Sequence, residues 1–367
     1  MSDTVFLEDV CDILDSQRIP ITSTNRKKGI YPYYGANGIQ DYVDNYIFDD
    51  ELVLLAEDGG NFGSTEKPIA YRVSGKCWVN NHAHVLKAKE CIDIDYLCYS
   101  LMFYDVSSLI NGATRQKLNQ AAMRKMKIPL PPLEEQKQIA ATLDKVTHTI
   151  DTCNAILEKL DLLVKSRFIE VFGSITKRRK LEEYADLITK GASPKWQGID
   201  YAEEGTLFVT SENVREGYLD FTKKKYLPND INKILPRSVL KRNDILINIV
   251  NASIGRVAVY DSDELANINQ AVALVRLKPN ALNITFLLTF LNSEEALRAY
   301  DFMKVGGDKA NLSLKNISDL LIPVADLELQ EKFATFVEQI DKSKLAVKQV
   351  LEKAETLKKA LMQEYFG

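Results

Sequence analysis

From Ile139 onward the apolar positions fall at Leu143, Val146, Ile150, Cys153, Leu157, Leu160 and Val164, in alternating steps of four and three. That is the seven-residue rhythm of a helix that buries a narrow stripe against another helix. A second stretch keeps the same rhythm at Phe333, Val337, Ile340, Lys344, Val347, Leu351 and Ala354, and then slips to Leu357 and Leu361. Lys344 is the polar exception on this stripe, of the kind that fixes register at some cost in stability. Ahead of the first stripe stands "IPLPP", residues 128–132. Proline is tolerated where a helix begins because no backbone N–H is needed there. The prolines therefore end whatever precedes them and launch a helix. Each stripe predicts a helix of about 40 residues, or roughly 60 Å.

The two stretches are copies of one plan. Shifting the chain by 194 residues superposes Ile128-Pro129 on Ile322-Pro323, Leu133-Glu134 on Leu327-Glu328, Gln136 on Gln330 and Phe172-Gly173 on Phe366-Gly367, over 46 residues without a gap. A weaker echo opens each half, where "LEDVCDIL" (7–14) matches "LEEYADLI" (181–188). Such repeats dictate the architecture before any single motif is read. The plan predicts a mixed α/β (α+β) fold with globular domains at 1–127 and 174–321. Helical spacers follow at 128–173 and 322–367. The helices are expected to pair antiparallel as a coiled coil, with a pseudo-two-fold relation between the copies.

Short β-rich runs fill both globular parts. "ELVLLAE" (51–57), "IAYRVSG" (69–75) and "AHVLKA" (83–88) read as strands in the first. "TLFVT" (206–210), "DILINIV" (244–250), "GRVAVY" (255–260) and "AVALVRL" (271–277) read so in the second. Helical patterns follow at 93–110 and 284–303.

Composition narrows the chemistry. With 46% hydrophobic and 27% charged residues the chain is ordinary globular protein, and no apolar run approaches the roughly 18 residues that span a membrane. The N-terminus has no signal-peptide pattern, and the five cysteines form no CxxC or zinc-like spacing. Reduced thiols in the cytoplasm are expected. Residues 1–127 hold 14 Lys and Arg against 17 Asp and Glu, and residues 174–321 hold 21 against 19. No global basic field is present, so nucleic-acid binding must come from local clusters. There is no GxxxxGK loop, and "EDGGNFG" (57–63) lacks the strand–GxGxxG–helix context of a cofactor loop. His82 and His84 alternate on an apparent strand with no third ligand nearby; polar strand residues are expected there, and no metal.

The polar loop residues suit a nucleic-acid surface. "TNRKKGIYPYYGANG" (24–38) interleaves Arg26, Lys27 and Lys28 with Tyr31, Tyr33 and Tyr34, and carries Asn37. Asn61 lies in "EDGGNFG", and Arg115 and Lys117 follow a glycine turn. The second domain offers Lys190, Ser193, Lys195 and Trp196 in "KGASPKW", Ser211 and Asn213 in "TSEN", Ser253 and Arg256 in "NASIGR", and Asn269 and Gln270 in "NINQ". Arg, Asn and Gln are the usual readers of base edges, and Lys, Ser and Thr the usual partners of phosphates. Solvated loops are the competing reading.

The "IPLPPLEEQKQIA" helix start, the repeated Phe-Gly ends, "GASPKW", "SIGRVAV…INQAVALVRLKP" and the two-copy layout resemble the specificity subunits of type I restriction–modification enzymes. The likeness covers essentially the whole chain. In the second copy Ala325-Asp326 stands in place of the two prolines, and the first domain lacks the Gly-x-Ser/Thr-Pro segment of 191–194. The resemblance implies that 1–127 and 174–321 are target-recognition domains, each reading one half of a split site in double-stranded DNA. It implies helices that set the half-site spacing and dock two modification subunits, with restriction subunits joining the complex. It further implies that this chain is not itself an enzyme and binds no cofactor, while its partners use S-adenosylmethionine, ATP and Mg2+. The alternative is a coiled-coil scaffold joining two protein-binding modules. A stand-alone methyltransferase would need catalytic motifs the chain does not show.

Overall fold

The computed structural model describes residues 4–112, 116–305 and 310–367. The chain divides into two compact units, one of residues up to Asn154 together with Lys348–Gly367, the other of Ala155–Val347. Two continuous helices, Leu133–Phe172 and Leu327–Phe366, are 40 residues each and lie 194 apart in the sequence. Each gives one half to each unit. In the first unit Ile139, Ala140 and Leu143 share a core with Leu361, Met362, Tyr365 and Phe366. The start of one helix thus meets the end of the other, as antiparallel pairing requires. In the second unit Phe168 and Phe172 pack with Phe286 and Phe333, with rings 4.7 Å apart for Phe172–Phe286 and 5.5 Å apart for Phe172–Phe333.

The seam of the last helix differs from the sequence reading in one place. The inward position after Ala354 is Lys358, whereas Leu357 is exposed. The rhythm of four and three therefore continues unbroken through Leu361, with lysine at two seam positions. A lysine can lay its alkyl stem along the stripe while its ammonium reaches outward. Lys344 reaches Asp161 across the pair at 2.6 Å. Asp151 and Asp144 favour the charge of Lys358, against a larger effect of burial.

The globular part of the first unit is built on a six-stranded sheet. Its order is Cys11–Ile13, Ala83–Ala88, Phe48–Ala56, Ala70–Val79, Lys28–Gly35, Gly38–Val43. The second unit repeats the first four places with Ala185–Lys190, Val272–Leu277, Asp244–Asn248 and Val257–Tyr260. In place of the hairpin it carries a separate sheet of Tyr226–Leu227, Thr206–Val209 and Ala266–Ile268. The central strand in each copy holds an apolar run, Leu52–Ala56 in the first and Ile245–Ile247 in the second, because both its faces are covered there. Val53 and Leu55 face one core and Leu52 and Leu54 another; Ile245 and Ile247 are likewise split from Leu246.

A helix packs on each sheet, Ile94–Met102 in the first unit and Ile284–Leu291 in the second. The latter stops at Asn292, and Ser293 caps a new helix, Glu294–Met303. The single helical pattern read at 284–303 is therefore two helices. Gln136 explains why glutamine stands near the start of the spacer. Its Oε1 accepts the backbone N–H of Asp93 at 2.8 Å, while its Nε2 donates to the carbonyls of Pro131 (2.8 Å) and Cys91 (3.2 Å). Asp93 is the N-cap of the sheet-packed helix. Gln330 repeats the arrangement, accepting from the N–H of Asn283, the matching N-cap, and donating to Ala325. Both glutamine side chains are buried. The motif residue thus ties the long helix to the domain before it.

Candidate nucleic-acid interface

In each unit two loops are clasped together at one end of the central strand. In the first, Leu118 N–H donates to the Glu57 carbonyl at 2.7 Å and Gly59 N–H to that of Gln116 at 3.4 Å, while Asn111 and Lys117 pair across the base of the second loop. In the second, Leu312 N–H donates to Ile249 at 2.9 Å, Asn251 N–H to Ala310 at 2.8 Å, and Val305 pairs with Asn311. The positions correspond bond for bond. Residues 57–64 are the counterpart of 249–256, and Asn111 and Gln116–Leu118 are the counterparts of Val305 and Ala310–Leu312.

Around the first clasp the structure gathers Asn37, Asn61 and Lys117. Asn37 donates its Nδ2 to the Gly59 carbonyl at 2.9 Å. The intervening Gly60 has no room for a Cβ, which would strike that of Ala56. Asn61 lies in the loop with its amide 3.5 Å from the Pro68 carbonyl. Lys117 is half exposed and bonded to Glu57 at 2.9 Å. Arg115 falls outside the described residues.

Two residues expected at this surface, Tyr33 and Arg26, hold the fold instead. Tyr33 is 1% exposed, and its hydroxyl donates to the Ile21 carbonyl and accepts the Ile21 N–H. Arg26 lies over the Tyr33 ring, 4.2 Å from its centre, and donates to Ile21 and to Asp41. Tyr31 stacks at a tilt on Tyr46, 5.1 Å between centres. The alternation of bases and tyrosines thus records a sheet edge packing on itself. Lys27 is exposed.

The second unit brings more of its expected residues together. The parallel strands Thr206–Val209 and Ala266–Ile268 end on the same side, so Ser211 and Asn269 both follow from neighbouring strand ends, and Asn269 N–H donates to the Val209 carbonyl. Gly191 lies so close to the carbonyls of Ile268 and Asn269 that any Cβ would collide. That glycine brings the segment of Lys190 and Ser193 onto the same edge. Ser253 sits in the clasped loop, its hydroxyl bonded to the Val250 carbonyl at 3.1 Å. Arg256 and Gln270 are exposed, and their side chains make no hydrogen bond or ion pair among the described residues. Lys195 is exposed, and Trp196 stands out at 84% exposure on the turn Pro194–Gln197.

Asn213 is a correction. It is buried, accepts from the N–H and hydroxyl of Thr210, and donates to the carbonyls of Asp220 and Lys223. With its amide fully used it shapes a turn and reads nothing. Asn248, which sequence reasoning did not single out, does similar work at the centre, donating to the Ser211 carbonyl at 2.9 Å.

His84 lies inside the first unit and not on its surface. Its Nδ1 meets Asp15 at 2.6 Å and its Nε2 the carbonyl of Leu118 at 2.8 Å. Asp15, Glu57 and His84 bring three potential ligand atoms within 4.8 Å of one another. Both ring nitrogens are nevertheless committed, and the guanidinium of Arg18 and the ammonium of Lys117 already neutralise Glu57. Burial pushes the Asp15 carboxyl up, but bonds from His84, Val85 and Gln120 hold it below its ordinary value. The same balance holds Glu57 low, against burial, through Lys117 and Arg18. The cluster is a closed ion-pair network. His82, on the preceding turn, bonds to Asp58.

Comparison with known proteins places this arrangement. The family described as the type I restriction modification DNA specificity domain matches residues 2–162 and 176–356, one match to each copy. A putative type I restriction enzyme specificity subunit of Haemophilus influenzae, S.HindORF215P, is 30% identical over 70% of this chain and 67% of its own. The MjaVIII specificity subunit of Methanocaldococcus jannaschii is 24% identical over 98% of this chain and 91% of its own. Among solved structures, the type I S subunit from M. genitalium covers 100% of this chain and 96% of its own with a TM-score of 0.61 at 14% identity. A chain from a study of complex assembly and conformational transition of the type I R-M system covers 99% and 97% with a TM-score of 0.59 at 18% identity. Two domains of one plan, each closed by the same clasp and tied by the same glutamine to a 40-residue helix, carry that likeness over both halves, and the chain belongs to the type I restriction–modification specificity subunits, the DNA-recognition component of those systems.

Proposed function

We propose that each unit reads one half of a two-part sequence in double-stranded DNA, and that the chain carries no methyl-transfer or nuclease chemistry of its own. The clasp supports this best. It occurs in both units with matching backbone bonds, while the side chains around it differ: Asn37, Asn61 and Lys117 in one; Lys190, Ser193, Ser211, Ser253, Arg256, Asn269 and Gln270 in the other. A constant frame with changed contents suits two readers of different half-sites, since bases are read by side chains at the groove and position is fixed by the backbone and phosphates.

Two modification subunits then dock on the outward faces of the long helices, whose pairing sets the half-site spacing, and restriction subunits join the same complex. Ile156 and Leu163 on the first helix and Val350 and Leu357 on the second are exposed, and the shift of 194 superposes the pairs. A matched apolar stripe seven residues apart on both helices offers one equivalent seat to each of two copies of a partner. S-adenosylmethionine, ATP and Mg2+ belong on this reading to those partners, and the complex works in the cytoplasm. Among the described residues no helix is long and apolar enough to cross a membrane.

Mapping methylated adenines in DNA from cells with and without the chain tests the reading. One bipartite sequence should be methylated only when the chain is present. A pattern indifferent to the chain would refute the role. Selection from random duplexes that enriches no sequence would favour the scaffold of protein-binding modules.

A further inference from the structure

Among the described residues, the second unit holds apolar side chains where the buried network of the first places Glu57 and His84. The clasp bonds equate Glu57 with Ile249. Strand register equates His84 with Ala273, because Leu55 pairs with His84 as Ile247 pairs with Ala273. Ile249 and Ala273 are buried and apolar. The same sheet order and the same clasp therefore form in one copy without the charges that the other copy buries. Taking carboxylates and imidazole from water costs free energy that only good pairing offsets. A fold that can be closed by isoleucine and alanine does not require that cost.

The network touches both clasped loops of the first unit. Glu57 opens one loop and holds the ammonium of Lys117 on the other. Arg18 bridges Glu57 at 2.6 Å to the Ala83 carbonyl at 2.7 Å. Asp15 takes Gln120 and the Val85 N–H, both at 2.9 Å, and His84. His84 reaches Leu118, the residue whose own N–H closes the clasp on Glu57. The charged groups facing the ring are Asp15 and Glu57, with Arg18 and Lys117 behind them.

We propose that Glu57 and His84 are positioning residues for DNA reading by the first unit alone: they fix residues 57–64 and the stretch from Gln116 to Leu118, and with it Lys117, relative to one another, so that the first half-site is discriminated through a polar lock that the second unit replaces with apolar packing. The inference rests on the DNA-reading role above. Neither residue needs to touch DNA, since Glu57 and His84 are buried.

The test uses the full chain, in complex with its modification subunits, on duplexes that carry the selected two-part sequence with single base changes in either half. Glu57→Gln and His84→Gln are compared with Glu57→Ile/His84→Ala, which installs the residues of the second copy. Trp78 emission and circular dichroism confirm folding. The expected result is a one-sided loss: discrimination in one half-site falls at least tenfold, while the other stays within about twofold of the unaltered chain. Loss in both halves alike would reduce the network to general stability and overturn the proposal. So would full discrimination in the folded double variant. An unaltered chain that selects no two-part sequence would bring down the DNA-reading role itself and this proposal with it, whereas variants that leave both half-sites discriminated, in a complex that does select a two-part sequence, defeat the proposal only.

Discussion

Replacing Gln136 by methionine keeps the volume and removes three hydrogen bonds. The half-buried N–H of Asp93 loses its one side-chain acceptor among the described residues, and the carbonyls of Pro131 and Cys91 lose a donor. An orphaned buried polar group costs about 1–3 kcal/mol, and a carbonyl that finds water costs less. Methionine returns part of this by burying apolar surface. The net expectation is a loss of about 2–4 kcal/mol. Gln330→Met removes two bonds and should cost about 1–3 kcal/mol. The chain has two tryptophans, Trp78 in the first unit and Trp196 in the second. In a Trp196→Phe background, urea unfolding followed by Trp78 reports the first unit. Hydrogen exchange at the Asp93 and Asn283 amides reports each tie directly. Gln136→Met should speed exchange at Asp93 and leave Asn283 protected, and Gln330→Met the reverse. A Gln136→Met transition within about 0.5 kcal/mol of the unaltered chain, with Asp93 still protected, would refute the claim that this glutamine carries the junction.

Three further outcomes follow from the same reasoning. Burial pushes the Lys358 ammonium down despite Asp151 and Asp144, so folding favours its charged form less than the unfolded chain does; Lys358→Met should therefore raise stability slightly near pH 7, and a thermal melt showing a clear loss would mean that the pairing outweighs burial. Asp15 and Glu57 are held below their ordinary values, so their contribution is present above the unfolded-state values of about 4 and is lost as pH falls through the lower folded ones; urea midpoints of Asp15→Asn and Glu57→Gln should lie below that of the unaltered chain at pH 7 and converge on it in acid. Arg256→Ala should weaken DNA binding, by about 1–3 kcal/mol at one base pair where the guanidinium reads guanine; equal loss on every sequence, seen by titrating a panel of duplexes, would assign it to phosphate.

The helices were legible because a seven-residue rhythm is a property of spacing, and spacing survives in a bare sequence. Their one misreading came from the same source. Hydrophobicity favours Leu357 for the seam, but continuing the steps of four and three demands Lys358, and geometry wins because an alkyl stem can serve as well as a leucine there. Strands were legible where both faces are covered, as at "ELVLLAE" and "DILINIV". The break between 291 and 294 was available in the Asn-Ser pair, which caps helices, but the apolar pattern runs across it. The clasp could also have been found. The shift of 194 that aligns the spacers extends upstream to put Gly112 on Gly306 and Leu118 on Leu312.

The side chains around the clasp were less legible for a physical reason. Arg26, Tyr31 and Tyr33 have the composition of a nucleic-acid surface, but whether a tyrosine hydroxyl faces solvent or the Ile21 backbone depends on the strand's face and on a bulge in its pairing, which no local pattern states. Asn213 fails in the same way: asparagine suits a base edge and a tight turn equally, and the turn uses all of its bonds. What a two-copy chain offers is an internal control. Where both copies hold the same residue type in the same place, as Gln136 and Gln330 do, the fold accounts for it. Where one copy buries charge and the other closes the same sheet with Ile249 and Ala273, the fold does not demand the charge. The difference between the halves then points to the reading of DNA, the one task in which two copies of a plan must differ.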